Sequence, residues 1–246
     1  MDAEQIIKAE LVLWQQEMQK SPSLGNQAVK GMQVRINNWI PEKVHRVFTK
    51  AIKEVTRAVL FGAEYTTTMN HDIGDFPATE EKAQERIKFY SSSASAEGAI
   101  TGFGGIIWGF ADFPLWLSLK MKMLFEIASI YGMDVSDLRE RIYILHIFEI
   151  TFSSQKNRNR VFKVMQSWDK NKHLQDDINE FDWRRFQLEY RDHIDLAKLL
   201  QLIPGFGAII GAYVNLNLTK KLGKFAMNAY RMRLLDKPTI SLPTQH

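Results

Sequence analysis

The amino-acid sequence predicts an all-α protein, a multi-helix bundle with two glycine-rich apolar helical hairpins. Apolar residues recur three and four positions apart along most of the chain, which is the spacing of one face of a helix. The regular alternation of apolar and polar residues that marks a half-buried strand is absent. Glycines are concentrated in two apolar stretches, near residues 98–111 and 205–211. These three observations together define the predicted fold class.

The composition limits the classes of function. A chain of 246 residues, 45% of them hydrophobic, can bury a substantial core. The net charge of +4 is too small for the concentrated basic surface of a nucleic-acid-binding protein, so no nucleic-acid partner is expected. The absence of cysteine excludes disulfides, thiolate metal sites and a cysteine nucleophile. Glu4, Glu10 and Glu17 interrupt the first residues, which do not match a secretory signal, so a cytoplasmic location is expected.

The N-terminal part of the chain predicts several amphipathic helices. The first contains Ile6 and ends near Pro22, the second covers residues 24–39, and the third extends from Glu42 to about residue 63. Thr79 is predicted to cap the next helix, with Glu80 and Glu81 in the first turn. The predicted organisation is N-terminal helices in residues 1–40, a main helical domain in 41–236 and a tail in 237–246.

The middle of the chain predicts a helix that is buried on most sides. Residues 115–131 are apolar nearly all round, and Gly132 is expected to end the helix. Asp112 precedes Pro114 and is expected to cap the start of the helix.

Further helices are predicted toward the C-terminus. Residues 138–152 form one, and a basic, polar stretch follows. The charged and aromatic residues 166–191, including Trp168, are expected to face solvent or a partner. An apolar segment, residues 196–218, then leads into a basic helix that closes the domain near Leu235.

The two glycine-rich segments resemble each other. Residues 102–112 align without gaps with residues 205–215, and five positions are identical, with Asp112 opposite Asn215. Such glycines either cradle a phosphate, let helices approach closely or bend an apolar hairpin. The phosphate interpretation requires a preceding strand, which the sequence lacks. Close helix packing is therefore favoured, through small residues at helical spacing: Gly98, Gly102, Gly105 and Gly109.

Both segments are candidates for contact with a membrane surface. The first has fourteen uncharged residues from Gly98 to Ala111, and the second is uncharged from Leu199 to Thr219 but contains polar residues. Both are poor matches to a spanning helix of about 20 apolar residues. Basic residues follow each segment and suit an anionic membrane. The candidate contacts are Lys220, Lys221, Lys224, Phe103, Trp108 and Phe206, and the basic flanks further include Arg231, Arg233, Lys120 and Lys122.

These motifs resemble the EcsC family. Its central signature is matched by Gly102, Gly104, Gly105, Asp112, Pro114, Leu117, Glu126, Ile127, Tyr131, Gly132 and Asp134. Its closing motif is matched by Ile203–Gly207, Gly211, Asn215 and the helix of Tyr230. The resemblance extends from about Val44 to Leu235 and covers residues 1–40 and 166–191 less clearly. It implies an α-helical, membrane-associated bacterial protein and supplies no catalytic residue and no cofactor.

Buried polar residues allow a second hypothesis, a metal-dependent or hydrolytic enzyme. The candidates lie in apolar stretches: Asp112, Glu126, His146, Glu149 and Asn215. Buried carboxylates need partners, for which Lys120 and Lys122 are candidates. The His146–Glu149 spacing reverses the Glu-x-x-His order of di-iron sites, and a second such pair is missing, so no metal site is predicted. A non-enzymatic protein at an anionic membrane or on a membrane-protein partner is favoured, and a soluble interaction scaffold is the third alternative.

Overall fold

The computed structural model describes residues 3–21, 50, 52–54, 57–58, 75–103, 113–170 and 207–235, with the backbone alone for 93–103, 113–116 and 207–214. Within these ranges the regular structure is helical throughout, which confirms the predicted all-α class. The helices are α1 (Ala3–Gln19), α2 (Phe76–Phe103), α3 (Phe113–Ile130), α4 (Leu138–Thr151), α5 (Gln155–Gln166) and α6 (Gly207–Leu235). The turns of the two predicted glycine-rich hairpins lie outside the described residues.

Helix α6 is the centre of the bundle, since it contacts each of the five other helices named above. The C-terminal half is almost entirely buried, from Leu222 to Arg233, and Lys224 is the exposed exception. The sequence was expected to change from an apolar segment to a separate basic helix after residue 218. That expectation is wrong, because one continuous helix contains both parts and no helix breaker separates them.

Side chains and glycine fix the ends of several helices. Asp75 caps α2, because the Ala78 amide donates to its carboxylate at 3.1 Å, so the helix begins before the cap predicted at Thr79. Asp137 caps α4 in the same way through the Arg139 amide. Helix α3 ends at Gly132, as predicted, with φ of 73°. The Met133 and Gly132 amides donate to carbonyls of the last turn at 3.0 and 2.9 Å, which is a Schellman motif.

Aromatic rings connect the helices around α6. Tyr230 of α6 stacks on Tyr131 at 5.6 Å between ring centroids and contacts Tyr143 of α4 at 5.7 Å. Tyr143 in turn contacts Trp168 at 5.2 Å. Trp168, near the start of a segment that was expected to face solvent on one side, is fully buried. On the other side of α6, Trp14 of α1 packs edge-on against Phe225. Large rings contribute the most apolar area per residue to such a core.

Candidate functional site

Helices α2 and α6 pack side by side in antiparallel directions. Glu80, near the start of α2, binds Arg231 near the end of α6, with Nε and Oε1 3.0 Å apart. Two turns further along α2, Ile87 packs against Gly223, two turns back along α6. The C-terminal end of α2 and the N-terminal end of α6 therefore lie at the same end of the bundle.

The N-terminal end of helix α3 lies at this same end of the bundle. Tyr131, just after α3, donates to Glu80 at 2.7 Å, and Glu126 accepts from Tyr90 at 2.7 Å. These contacts make α3 antiparallel to α2, so its first turns lie beside the last turns of α2. We call the three helix ends together the uncharged end, because Glu97 is their only charged residue. It comprises residues 91–103, 113–119 and 207–219.

A buried polar pair lies next to the uncharged end. The Lys120 amine of α3 donates to the Asn215 side-chain oxygen of α6 at 2.9 Å, and both residues are buried. Lys120 was a candidate partner for a buried carboxylate, and for Glu126 that expectation is wrong, because Arg86 supplies the cation there. The pair shows that Asn215 faces α3 and ties α3 to α6.

Exposed lysines border the uncharged end. Lys220 and Lys224 are exposed on α6, immediately after its uncharged part. Lys88 of α2 is also exposed. It follows Ile87, which packs against Gly223 of α6, so Lys88 lies at about the same height along the bundle as Lys224. Lys122 of α3 is exposed two residues beyond the buried Lys120. We call these four lysines the basic belt.

Lys221 differs from its exposed neighbours on α6. The side chain is half-buried, and the amine lies 5.6 Å from the centre of the Phe225 ring. The pKa of Lys221 is lowered to about 8, mainly by burial and also by the nearby positive charge of Arg158, against a smaller opposing effect of Glu17. The three lysines that the sequence grouped together therefore have two different environments.

Glu126, a candidate for chemistry, is engaged in a structural contact between α2 and α3. One carboxylate oxygen accepts from Arg86 at 2.7 Å and the other accepts from Tyr90 at 2.7 Å. Burial and the bond to this carboxylate raise the pKa of Tyr90 well above its ordinary value. Both oxygens of Glu126 are thus used within the protein.

His146 and Glu149 belong to a second, separate network. Glu149 of α4 binds Arg160 of α5 at 2.6 Å, and it also accepts from Asn157 at 2.9 Å. The His146 ring nitrogen lies 3.3 Å from the other oxygen of this carboxylate. Burial alone would raise the pKa of Glu149, but the bonds from His146 and Asn157 and the charge of Arg160 hold that pKa below its ordinary value.

The described candidates do not form a single catalytic centre. Glu126 binds side chains of α2, whereas Glu149 and His146 bind each other and side chains of α5. Among the residues the structure describes, no three His, Asp or Glu side chains are grouped closely enough to hold a metal ion. The remaining candidates lie outside the described residues or have only a described backbone: Asp112, Phe103, Trp108 and Phe206.

Two buried ion pairs were missed by sequence reasoning. Arg231 and Arg233 were grouped with a basic flank, and that interpretation is wrong because both are buried and paired, with Glu80 and Glu140 respectively. A signal existed in the sequence. The two arginines stand two apart in residues 225–235, which are otherwise uncharged, and a buried charge is tolerable there only with an internal partner.

The described helices and their contacts define an all-α protein, and its sequence identifies the family. The chain belongs to the EcsC protein family, whose model matches residues 5–235. The match includes the first helix and residues 166–191, which the motifs covered less clearly. None of the described helices combines the length and apolar character needed to cross a bilayer.

Two curated relatives, both from Bacillus subtilis (strain 168), are similar over most of their length. Protein EcsC is 39% identical over 239 residues, which is 96% of this chain and 98% of that protein. Uncharacterized protein YdbA is 26% identical over 219 residues, 80% of each chain. No solved structure matches this chain.

Proposed function

We propose that this protein is a non-enzymatic helical protein that binds the cytoplasmic face of an anionic membrane through its uncharged end, without crossing the bilayer. The observation that carries the proposal is the gathering of three uncharged helix ends at one end of the bundle. The sequence on either side of them is also uncharged over residues 104–111 and 199–206. Few water-soluble surfaces are built from so long a stretch of chain without charges.

The length of the uncharged end suits one leaflet of a bilayer. In α6 it comprises residues 207–219, which at the rise of an α-helix span about 18 Å. The hydrocarbon core of a bilayer is about 30 Å thick, so this length exceeds one leaflet slightly and falls well short of both. We therefore expect an insertion into one leaflet only.

The basic belt then lies at the level of the lipid phosphates. A lysine near an anionic surface contributes about 1 kcal/mol, so four would contribute about 4 kcal/mol at low salt. Exposed Glu17 and Glu85 offset part of this attraction. Phe89, which is 55% exposed beside Lys88, is the kind of aromatic residue that lies at a membrane interface.

Co-sedimentation with vesicles tests the proposal. Vesicles containing phosphatidylglycerol should bind the protein at low salt, and pure phosphatidylcholine vesicles should bind it at least tenfold more weakly. Replacing the belt by Lys88→Gln, Lys122→Gln, Lys220→Gln and Lys224→Gln should reduce binding at least tenfold. A control with the same loss of charge elsewhere, Lys8→Gln, Lys156→Gln, Lys163→Gln and Lys170→Gln, should reduce it much less. Equal effects of the two variants, or no binding at low salt, would contradict the proposal and favour the soluble scaffold.

A second measurement examines the apolar contacts themselves. We expect the first glycine-rich segment, with Phe103 and Trp108, and the second, with Phe206, to enter the lipid. Brominated lipids should then quench tryptophan fluorescence, and the variant Trp108→Phe should lose most of that quenching. Unchanged quenching in this variant would show that Trp108 does not enter the lipid.

A further inference from the structure

Two cations share one aromatic ring between α5 and α6. The Lys221 amine of α6 lies 5.6 Å from the centre of the Phe225 ring, and the Arg158 guanidinium carbon of α5 lies 6.0 Å from the same point. Both side chains are half-buried. Each charge is close enough to the other for Arg158 to disfavour the charged form of Lys221. Two like charges thus lie near the same ring in a partly desolvated place.

This pair has no bound counter-charge within the described residues. Arg158 donates from Nε to the Ile150 carbonyl at 3.2 Å, and neither cation belongs to an ion pair there. Glu17 of α1 influences both charges without binding either. Four other arginines of the bundle each hold a carboxylate, in contrast to Arg158: Arg86, Arg160, Arg231 and Arg233.

Such an arrangement is costly unless an anion completes it. Removing charges from water is unfavourable, and two like charges side by side add repulsion. The aromatic ring offsets only part of this cost. An arginine fork and a lysine point charge are the two groups that most often bind phosphate in proteins, and a phosphate group neutralises more than one positive charge.

We propose that Lys221 and Arg158 form a binding site for a single phosphate group, either inorganic phosphate or the phosphate of a lipid headgroup. Lys224, one turn further along α6, is exposed and adds positive charge nearby. The site stands apart from the membrane proposal, because free phosphate could occupy it without any lipid. If the lipid is the source, one headgroup is held between α5 and α6 while the basic belt contacts others.

Isothermal titration calorimetry with inorganic phosphate tests the site. The whole chain is used at constant ionic strength, with chloride as the reference anion. The expected result is one bound phosphate per chain. Lys221→Met and Arg158→Met should each weaken binding at least tenfold, whereas Lys163→Met, an exposed lysine of α5, should leave it within twofold. Without phosphate, Lys221→Met should unfold at a higher temperature than the wild type, since it removes the repulsion, so a loss of binding is not a loss of folding.

Vesicles distinguish the two sources of the phosphate group. If both variants lose the binding of inorganic phosphate, the site is supported, even if the protein does not bind anionic vesicles. In that case only the membrane proposal would fail. Binding of phosphatidylglycerol vesicles that is weakened in both variants, without binding of inorganic phosphate, supports the site with a headgroup as the ligand. Binding that neither variant weakens, or no binding of either probe, overturns the inference.

Discussion

Arg233, in the last turn of α6, binds Glu140, in the first turn of α4, through two parallel hydrogen bonds. Nη1 donates to Oε2 at 2.6 Å and Nη2 donates to Oε1 at 2.8 Å, and both side chains are buried. The guanidinium also lies over the Tyr143 ring at 4.6 Å and reaches Asp169 at 2.8 Å. Each buried charge of this pair is therefore neutralised mainly by the other.

Removal of one partner should therefore be much more damaging than removal of both. Arg233→Met leaves the Glu140 carboxylate buried without its cation, and we expect it to lower the free energy of unfolding by about 3–5 kcal/mol. Arg233→Met combined with Glu140→Leu should recover most of this loss. Urea denaturation measures both, with Lys8→Met, which breaks the exposed pair with Glu4, as a control expected to change stability by less than about 1 kcal/mol. A small effect of the single variant would show that the buried pair is hydrated.

Gly223 should not tolerate a methyl group. A Cβ at this position would clash with Cγ1 of the buried Ile87 and would lie 2.6 Å from its Cδ1. Alanine favours a helix by about 1 kcal/mol over glycine, but crowding in a packed core costs about 1–3 kcal/mol. We expect Gly223→Ala to lower the unfolding temperature and Ile87→Val in the same chain to restore part of it. Stabilisation by the single variant would contradict the close approach of α2 and α6.

Gly132 should be required for its backbone conformation. Its φ of 73° lies in the left-handed region, which costs other residues about 1–2 kcal/mol. Gly132→Ala should reduce stability by about that amount. Gly132→Asn should cost less, because asparagine adopts this conformation more readily. Thermal unfolding of the two variants in parallel tests the order, and equal losses would point to crowding instead of backbone conformation.

Glu149 should make the protein sensitive to acid. The pKa of its carboxyl is lower in the folded protein than in the unfolded chain, so its stabilisation is complete above the unfolded value and is lost as the pH falls through the folded value. Between about pH 5 and about pH 3, the wild type should lose more unfolding free energy than Glu149→Gln. Glu81→Gln, an exposed position on α2, should behave like the wild type.

Lys221 should give a dependence of the same sign, but at alkaline pH. Its pKa is about 8 in the folded protein, compared with an ordinary value of 10.5, so between these values the unfolded chain binds the extra proton. Stability contributed at this position therefore rises with pH above about 8, by up to about 1 kcal/mol per pH unit. The stability advantage of Lys221→Met over the wild type should shrink between about pH 7 and about pH 9. An advantage independent of pH would mean that the charge is well hydrated.

Local sequence signals predicted much of the fold. The helical period located α1, α3 and α4 to within a few residues, because each has a buried face of its own. Gly132 ended a helix as expected. Thr79 was the wrong cap, because Asp75, three residues before Ala78, competes for the same amides. The continuity of α6 was also missed, because a change from apolar to basic residues was treated as a boundary.

The candidate site was predictable only in part. Lys220 and Lys224 could be identified, since charge beside an uncharged segment is visible in the sequence. The C-terminal end of α2 and the N-terminal end of α6 come together through the antiparallel packing of these helices, a relationship between residues more than a hundred positions apart. The cation pair of Arg158 and Lys221 has the same origin, because α5 and α6 meet only in the folded chain. Periodicity carries no information about such distant pairs.

The central position of α6 also governs the order in which the molecule can assemble. Every other named helix packs against α6, yet α6 is the last of them to leave the ribosome. The preceding helices must wait, with their apolar faces uncovered, until translation reaches Tyr230 and the two arginines beyond it. We expect the nascent chain to be more exposed to aggregation and proteolysis than the finished fold, and a stop codon that removes the last turns of α6 to uncover the part of the core that Tyr230 closes.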